Sequence, residues 1–155
     1  MALDPDSHRW LVLLHQLPAK PPYLRVKLWR RLQALGALPL KNAVHVLPHC
    51  DASKAAFAAL LDDILSDGGE AVLIEARLIA GQNDSELRAQ FDAARDIDYC
   101  EIAQDACKLI EIAPVSGAEI NRLKRRMDDV AALDFFGAHG RQGAEAALRE
   151  LEQSR

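Results

Sequence analysis

Arg25, Lys27, Arg30 and Arg31 crowd four cations into one short stretch, with Lys20 and Lys41 on either side. Helical neighbours three and four residues apart share a face, so on a helix Lys27 and Arg31 stack and Arg30 joins Lys27 on the adjoining edge. Cations so placed can hold an anion: the arginine fork matches two oxygens at once, and lysine adds a compact point charge. From Ser7 to Cys50 there is no acidic residue, while Arg9 brings the basic side chains of that segment to seven. The remaining residues hold 12 basic against 23 acidic side chains, and the whole sequence has a formal charge of −4. A positive segment on an acidic protein is a statement about partners, because its local field attracts anions. Nucleic-acid phosphate, a small oxyanion and an acidic patch on another protein all fit. A plain solvated helix face also looks amphipathic; it usually intersperses Glu among its cations, and this one has none. Tyr23 and Trp29 flank the cations. Arginine beside an aromatic supports base stacking or cation–π contact, although an aromatic so placed more often packs into a core or a dimer interface. Aromatic content of 5% is too low for a base-stacking platform of the RNA-recognition kind.

The other residues able to do chemistry are less organised. His45, His49 and Cys50, with His15 on the neighbouring strand, are metal-ligand types, but Pro48 breaks the strand that would align them and zinc-finger spacing is absent. No metal and no other cofactor is expected. Cys100 and Cys107, seven apart on one helix, read as a buried stripe of small apolar residues. Three cysteines with no CxxC fit reduced thiols in a cytoplasm. Arg122, Lys124, Arg125 and Arg126 form a second basic cluster that Asp128 and Asp129 largely cancel. There is no GxSxG, P-loop or HExxH motif, and His15 with Lys20 does not make an acid–base pair, so the sequence reads as non-enzymatic.

These side chains need elements to position them. Half of the residues are hydrophobic and 27% charged, the balance of a folded domain rather than a disordered chain. Residues Met1–Ser7 read as a loose lead-in. Arg9–Leu17 is an apolar run stopped by Pro18, a buried strand too short for a signal or a membrane span. Tyr23–Leu35 carries Leu24, Leu28, Leu32 and Leu35 at helical spacing and ends at Gly36. Two short strands or one bent strand come next, Ala37–Lys41 and Ala43–Leu47, with Asn42 at the turn and Pro48 closing the second. A helix capped by Asp51 or Ser53 runs to Ser66 with Phe57, Leu60, Leu61, Ile64 and Leu65 inward, and Asp67-Gly68-Gly69 stops it. Glu70–Ala80 is the last strand. The order strand, helix, strand, strand, helix, strand predicts an α+β fold, a ferredoxin-like βαββαβ domain over residues 1–81. Residues 82–155 form a helical extension of three helices, Ser85–Ile112, Ala118–Leu133 and Gln142–Gln153, packed on the sheet domain as a single structural unit. The Ala37–Leu47 region has too little charge to guard a sheet edge, which predicts a homodimer.

Several strings resemble a known family. HQLPAKPPYLRVKLWRRLQALGALPLKNAVHVLP, His15–Pro48, is similar to the amino-terminal domain of the chromate-resistance regulator ChrB family, and it is the specific part of the match. GGEAVLIEARLI (Gly68–Ile79), FDAARDIDYCEIA (Phe91–Ala103) and LKRRMDDVAALDFFGAHGRQGAEAAL (Leu123–Leu148) extend it over nearly the whole sequence. More remotely, the strand–helix–glycine–strand pattern resembles the sheet domain of phenylacetate-type repressors and of CRISPR-adaptation nucleases, which dimerise sheet to sheet. Those nucleases hold metal with an Asp at the end of the first strand, where this sequence has His15-Gln16-Leu17-Pro18. The ChrB resemblance implies a bacterial protein of chromate resistance and transcriptional control. From the acid-free basic segment itself, the expected partners are DNA, or chromate or another oxyanion, with Lys20, Arg25, Lys27, Arg30, Arg31 and Lys41 as the contacting residues. Members of that family are expected to continue into a second domain implicated in the chromate response; this sequence ends at Arg155.

Overall fold

The computed structural model describes residues 9–112 and 114–154, so the lead-in read at Met1–Ser7 lies outside the described residues. The chain divides into two compact units between Asp84 and Ser85. The first contains β1 (Trp10–Gln16), α1 (Tyr23–Ala34), β2 (Leu38–Lys41), β3 (Val44–Pro48), α2 (Asp51–Ser66) and β4 (Glu70–Ala76). Its strands lie in the order β2-β3-β1-β4 with every neighbour antiparallel, the split βαβ arrangement of the ferredoxin-like fold.

β1 is central, and pairing on both sides explains its apolar run: Trp10, Leu11, Val12 and Leu13 are all buried. Side chains alternate across the sheet. Leu11, Leu13 and His15 share one face, and Leu13 lies opposite His45 on β3 and Leu73 on β4. Leu28 and Leu32 of α1 line a groove with His15 and His45, so the helix covers this face. Leu24, Leu28 and Leu32 of α1 are buried, as are Phe57, Leu60 and Ile64 of α2. Trp10, Val12 and Leu14 point to the other face. There Leu14 pairs with Val72, and Leu14, Val72 and Ile74 remain exposed at 39%, 57% and 41%.

Several boundaries differ from the sequence expectation. β4 ends at Ala76 rather than Ala80, because Ala76 already lies opposite Trp10, the first residue of β1. Pro48 is the last residue of β3, opposite Trp10, one position later than expected. The cap of α2 is neither Asp51 nor Ser53 but Cys50, whose extended backbone turns the chain into the helix and whose sulfur accepts from the Ser53 N–H at 3.4 Å. Leu65, expected inward, is 50% exposed, one position past the buried Ile64. In the β2–β3 turn the left-handed residue is Ala43 (φ 60). At the end of α2, Gly68 takes φ 84 and Gly69 passes so close to β1 that a Cβ would stand 2.7 Å from the Gln16 carbonyl oxygen. Glycine at both positions lets the chain leave the helix and enter β4 at once.

The helices of the second unit are α3 (Asp84–Glu111), α4 (Gly117–Ala132) and α5 (Arg141–Gln153). Ser116 and Glu119 form a reciprocal capping box at the start of α4. Tyr99, Ile102 and Ala106 of α3 join Ile120, Leu123 and Met127 of α4 and Leu148 and Leu151 of α5 in one core. The Tyr99 hydroxyl donates to Asp134 at 2.9 Å, while the other Asp134 oxygen accepts from the Ala138 N–H at 2.8 Å, fixing the α4–α5 turn. Burial and the Asp134 carboxylate push the Tyr99 hydroxyl pKa well above its usual range. Cys100 and Cys107 are exposed, contrary to the buried stripe expected of them. They share a face of α3, but the face that packs is the one holding Tyr99, Ile102 and Ala106.

The leucine stripe of α1 is the support of the basic segment. Leu28→Ala leaves a cavity beneath the helix and should destabilise the protein by about 2–5 kcal/mol in urea unfolding. A loss within about 0.5 kcal/mol, the usual surface range, would show that α1 does not pack through this stripe.

Candidate anion-binding face and the groove beside it

Burial of Leu24, Leu28 and Leu32 divides the rest of α1 into three strips. On the flank toward α2, Lys27 binds Asp67 at 2.9 Å and Arg31 binds Asp63. The segment has no acid of its own, but the fold brings two carboxylates to it from the last turn of α2 and the residue after it. Arg9 likewise meets Glu75 of β4 at 3.5 Å. On the outer strip lie Tyr23, Val26 and Arg30, with Tyr23 64% exposed. On the third flank Arg25 and Trp29 turn toward the sheet, and Trp29 is 59% exposed. Of the six expected contact residues, Lys20, Arg25, Arg30 and Lys41 are exposed and make no ion pair among the described residues, whereas Lys27 and Arg31 are each engaged by one. Tyr23 and Trp29 thus remain at the surface beside these cations rather than entering the core.

Between the third flank of α1 and the sheet runs a groove of about 570 Å³. Its walls include Arg25 and Trp29 from the helix, His15 and Gln16 from β1, Asn42 and Ala43 from the turn, and His45 from β3. Leu17, Leu28 and Leu32 make its apolar part. Register explains the histidines. His45 lies opposite Leu13, and His15 is two residues on along the same face, where its backbone N–H donates to the Ala43 carbonyl at 3.0 Å. His15 Nε2 and His45 Nδ1 stand 3.0 Å apart, with ring centroids at 5.1 Å. A centroid separation that large for so short a contact means the rings meet at their edges, one N–H aimed at the other ring's lone pair. The sequence spacing hid this pair, since residues 15 and 45 are brought together only by strand pairing.

The other chemical candidates are dispersed. His49 hydrogen-bonds Glu75 at 2.8 Å, holding the Glu75 carboxyl below its usual range, and it does not join His45. Cys50 serves as the α2 cap. In the second basic cluster Lys124 pairs with Glu152, and Arg126 with Glu101 and Asp105. Lys124 and Arg126 are thus engaged by carboxylates of α5 and α3 rather than by Asp128 and Asp129, while Arg122 and Arg125 make no ion pair among the described residues. No helix among the described residues is long and apolar enough to cross a membrane.

The fold and this face define a ferredoxin-like α+β sheet domain with a cation-bearing first helix, continued in sequence by a helical extension. Residues 25–113 match the family described as Protein ChrB, N-terminal. Over 147 residues, 92% of the chain, the sequence is 28% identical to Protein ChrB of Cupriavidus metallidurans, of which the match covers 45%. The chain belongs to the ChrB family and corresponds to its amino-terminal domain; it spans less than half the length of that relative.

Burial lowers the pKa of both groove histidines, that of His45 to about 4 with a further contribution from the neighbouring His15. In the unfolded chain each imidazole titrates near its ordinary value of about 6.5. Between those limits the unfolded state binds more protons, so stability rises with pH and falls on acidification from about 6.5 toward 4. Urea midpoints measured across that window should decline, and His45→Gln should flatten part of the decline. Parallel curves for the wild type and this variant would show that His45 titrates alike in both states.

Proposed function

We propose that this chain is a non-catalytic regulatory domain of chromate resistance that docks on DNA phosphates through the exposed cations on and beside α1. The observation that carries this is the set Lys20, Arg25, Arg30 and Lys41, exposed and without a carboxylate partner among the described residues, on a protein that is acidic elsewhere. Exposed Tyr23 and Trp29 beside them add surfaces that contact sugar or base without reading sequence. Lys27 and Arg31 contribute less, because a cation already bound to Asp67 or Asp63 has no counterion to exchange for a phosphate. Membership of the ChrB family supports the link to chromate resistance. A second copy of the chain covers the exposed row of Leu14, Val72 and Ile74. Strand pairing makes these residues contiguous, and apolar side chains so grouped gain by leaving water.

Duplex DNA of arbitrary sequence should bind with a logarithmic salt slope that shrinks by roughly 0.9 for each phosphate contact removed. Arg25→Gln with Arg30→Gln should reduce that slope, and Lys27→Gln with Arg31→Gln should reduce it less. Equal slopes in the wild type and in the Arg25/Arg30 variant would refute docking through this face. Light scattering should give a dimer at high micromolar concentration that Val72→Asp converts to a folded monomer, and a monomeric wild type would exclude the second copy.

A further inference from the structure

The groove between α1 and the sheet is built differently from the cationic strip outside it. Its volume of about 570 Å³ is that of a small-molecule pocket, for which roughly 300–1,000 Å³ is usual. It is larger than a lone inorganic oxyanion needs, and Leu17, Leu28 and Leu32 give it an apolar part that such an ion would not use. Arg25 brings a permanent cation with a planar fork, and among the described residues no carboxylate neutralises it. Trp29 brings a flat aromatic surface. The His15–His45 contact uses one nitrogen of each ring and leaves His15 Nδ1 and His45 Nε2 for a ligand. We propose that this groove binds a small organic anion, a carboxylate on a flat apolar body, with the carboxylate held by Arg25 and the histidine pair and the body lying on Trp29 and the leucines.

The pair also makes binding take up a proton. Without ligand the two rings share one proton across the 3.0 Å contact, and burial keeps both neutral near pH 7. A carboxylate in the groove favours the protonated imidazole, and a ring that gains a proton gains a donor toward the anion. The charged groups around the pair are Arg25 on α1, which lines the groove, and Glu70 at the start of β4, which lines an adjoining hollow with His15. With the carboxylate bound the balance moves toward protonation, so affinity rises as pH falls.

Benzoate is a suitable probe, because its carboxyl stays ionised across the range in which the histidines respond. Acetate carries the charge without the body, and benzamide carries the body without the charge. Each is titrated into the full chain while Trp29 emission and the two imidazole proton resonances are followed. Benzoate should saturate both signals with an affinity about tenfold better than either control, the discrimination expected of one charge-assisted hydrogen-bonded contact. Its affinity should improve as the pH is lowered from about 7 to about 5, between the value a bound carboxylate gives the imidazole and the free-state value of about 4 for His45, and above the range in which a carboxyl protonates. Arg25→Gln, at an exposed position, should abolish the preference for benzoate over benzamide, and His45→Gln should remove the pH dependence. Lys54→Gln, exposed on α2 away from the groove, should change neither. Equal binding of benzoate and benzamide, equal binding of benzoate and acetate, or a preference that survives Arg25→Gln would each overturn the proposal. The titrations contain no DNA, so a failure of DNA docking leaves their outcome unaffected.

Discussion

β1 pairs with β3 on one side and β4 on the other, and the architecture of the first unit depends on that register. It buries Leu11 and Leu13 beneath the helices and carries His15 beyond the last buried leucine of that face. It brings His45 diagonally next to His15, and it ends β4 where Trp10 runs out of partner. A shift of one residue would exchange the two faces of β1, sending His15 away from α1 and Leu14 beneath it. The exposed row of Leu14, Val72 and Ile74 would then be broken.

The charge of the first unit is set by where α1 and α2 end up side by side. An acid-free segment of seven cations repels itself, and the fold relieves that through carboxylates from other elements: Asp67 and Asp63 for Lys27 and Arg31, Glu75 for Arg9. Exposed pairs of this kind add little stability, because solvent screens them and long side chains lose entropy in forming them. Their larger effect is on the field. They cancel the flank toward α2 and leave Arg25, Arg30, Lys20 and Lys41 exposed without an ion pair among the described residues. The Gly68-Gly69 exit from α2 belongs to the same arrangement, since it holds Asp67 in place while the chain passes tightly over Gln16 into β4.

In the second unit polar groups, not only apolar stripes, define the turns. Asp134 accepts from the Tyr99 hydroxyl and from backbone N–H groups of the α4–α5 connection, and Asp96 accepts from the Gly140 N–H at 2.7 Å. A carboxylate so used is well supplied with donors, which accounts for its presence close to the core. Of the cations that the sequence sets beside Asp128 and Asp129, Lys124 pairs instead with Glu152 and Arg126 with Glu101 and Asp105, because residues on neighbouring helices come nearer than residues adjacent in sequence on one helix.

By itself the sequence determined the order of elements and the leucine stripe of α1, because periodicity, proline and glycine are local signals carried by a few neighbouring residues. It determined that positive charge is concentrated between Arg9 and Lys41, because composition needs no fold. Only the tertiary structure decided which of those cations are neutralised, since Asp63 and Asp67 lie more than thirty residues away along the chain and reach α1 through helix packing. It decided that Cys100 and Cys107 face water, because a seven-residue spacing defines a face but not the direction in which that face points. It also decided the His15–His45 pair and the groove around it. Strand register, which couples residues 15 and 45 across the sheet, is a long-range property that no local spacing encodes.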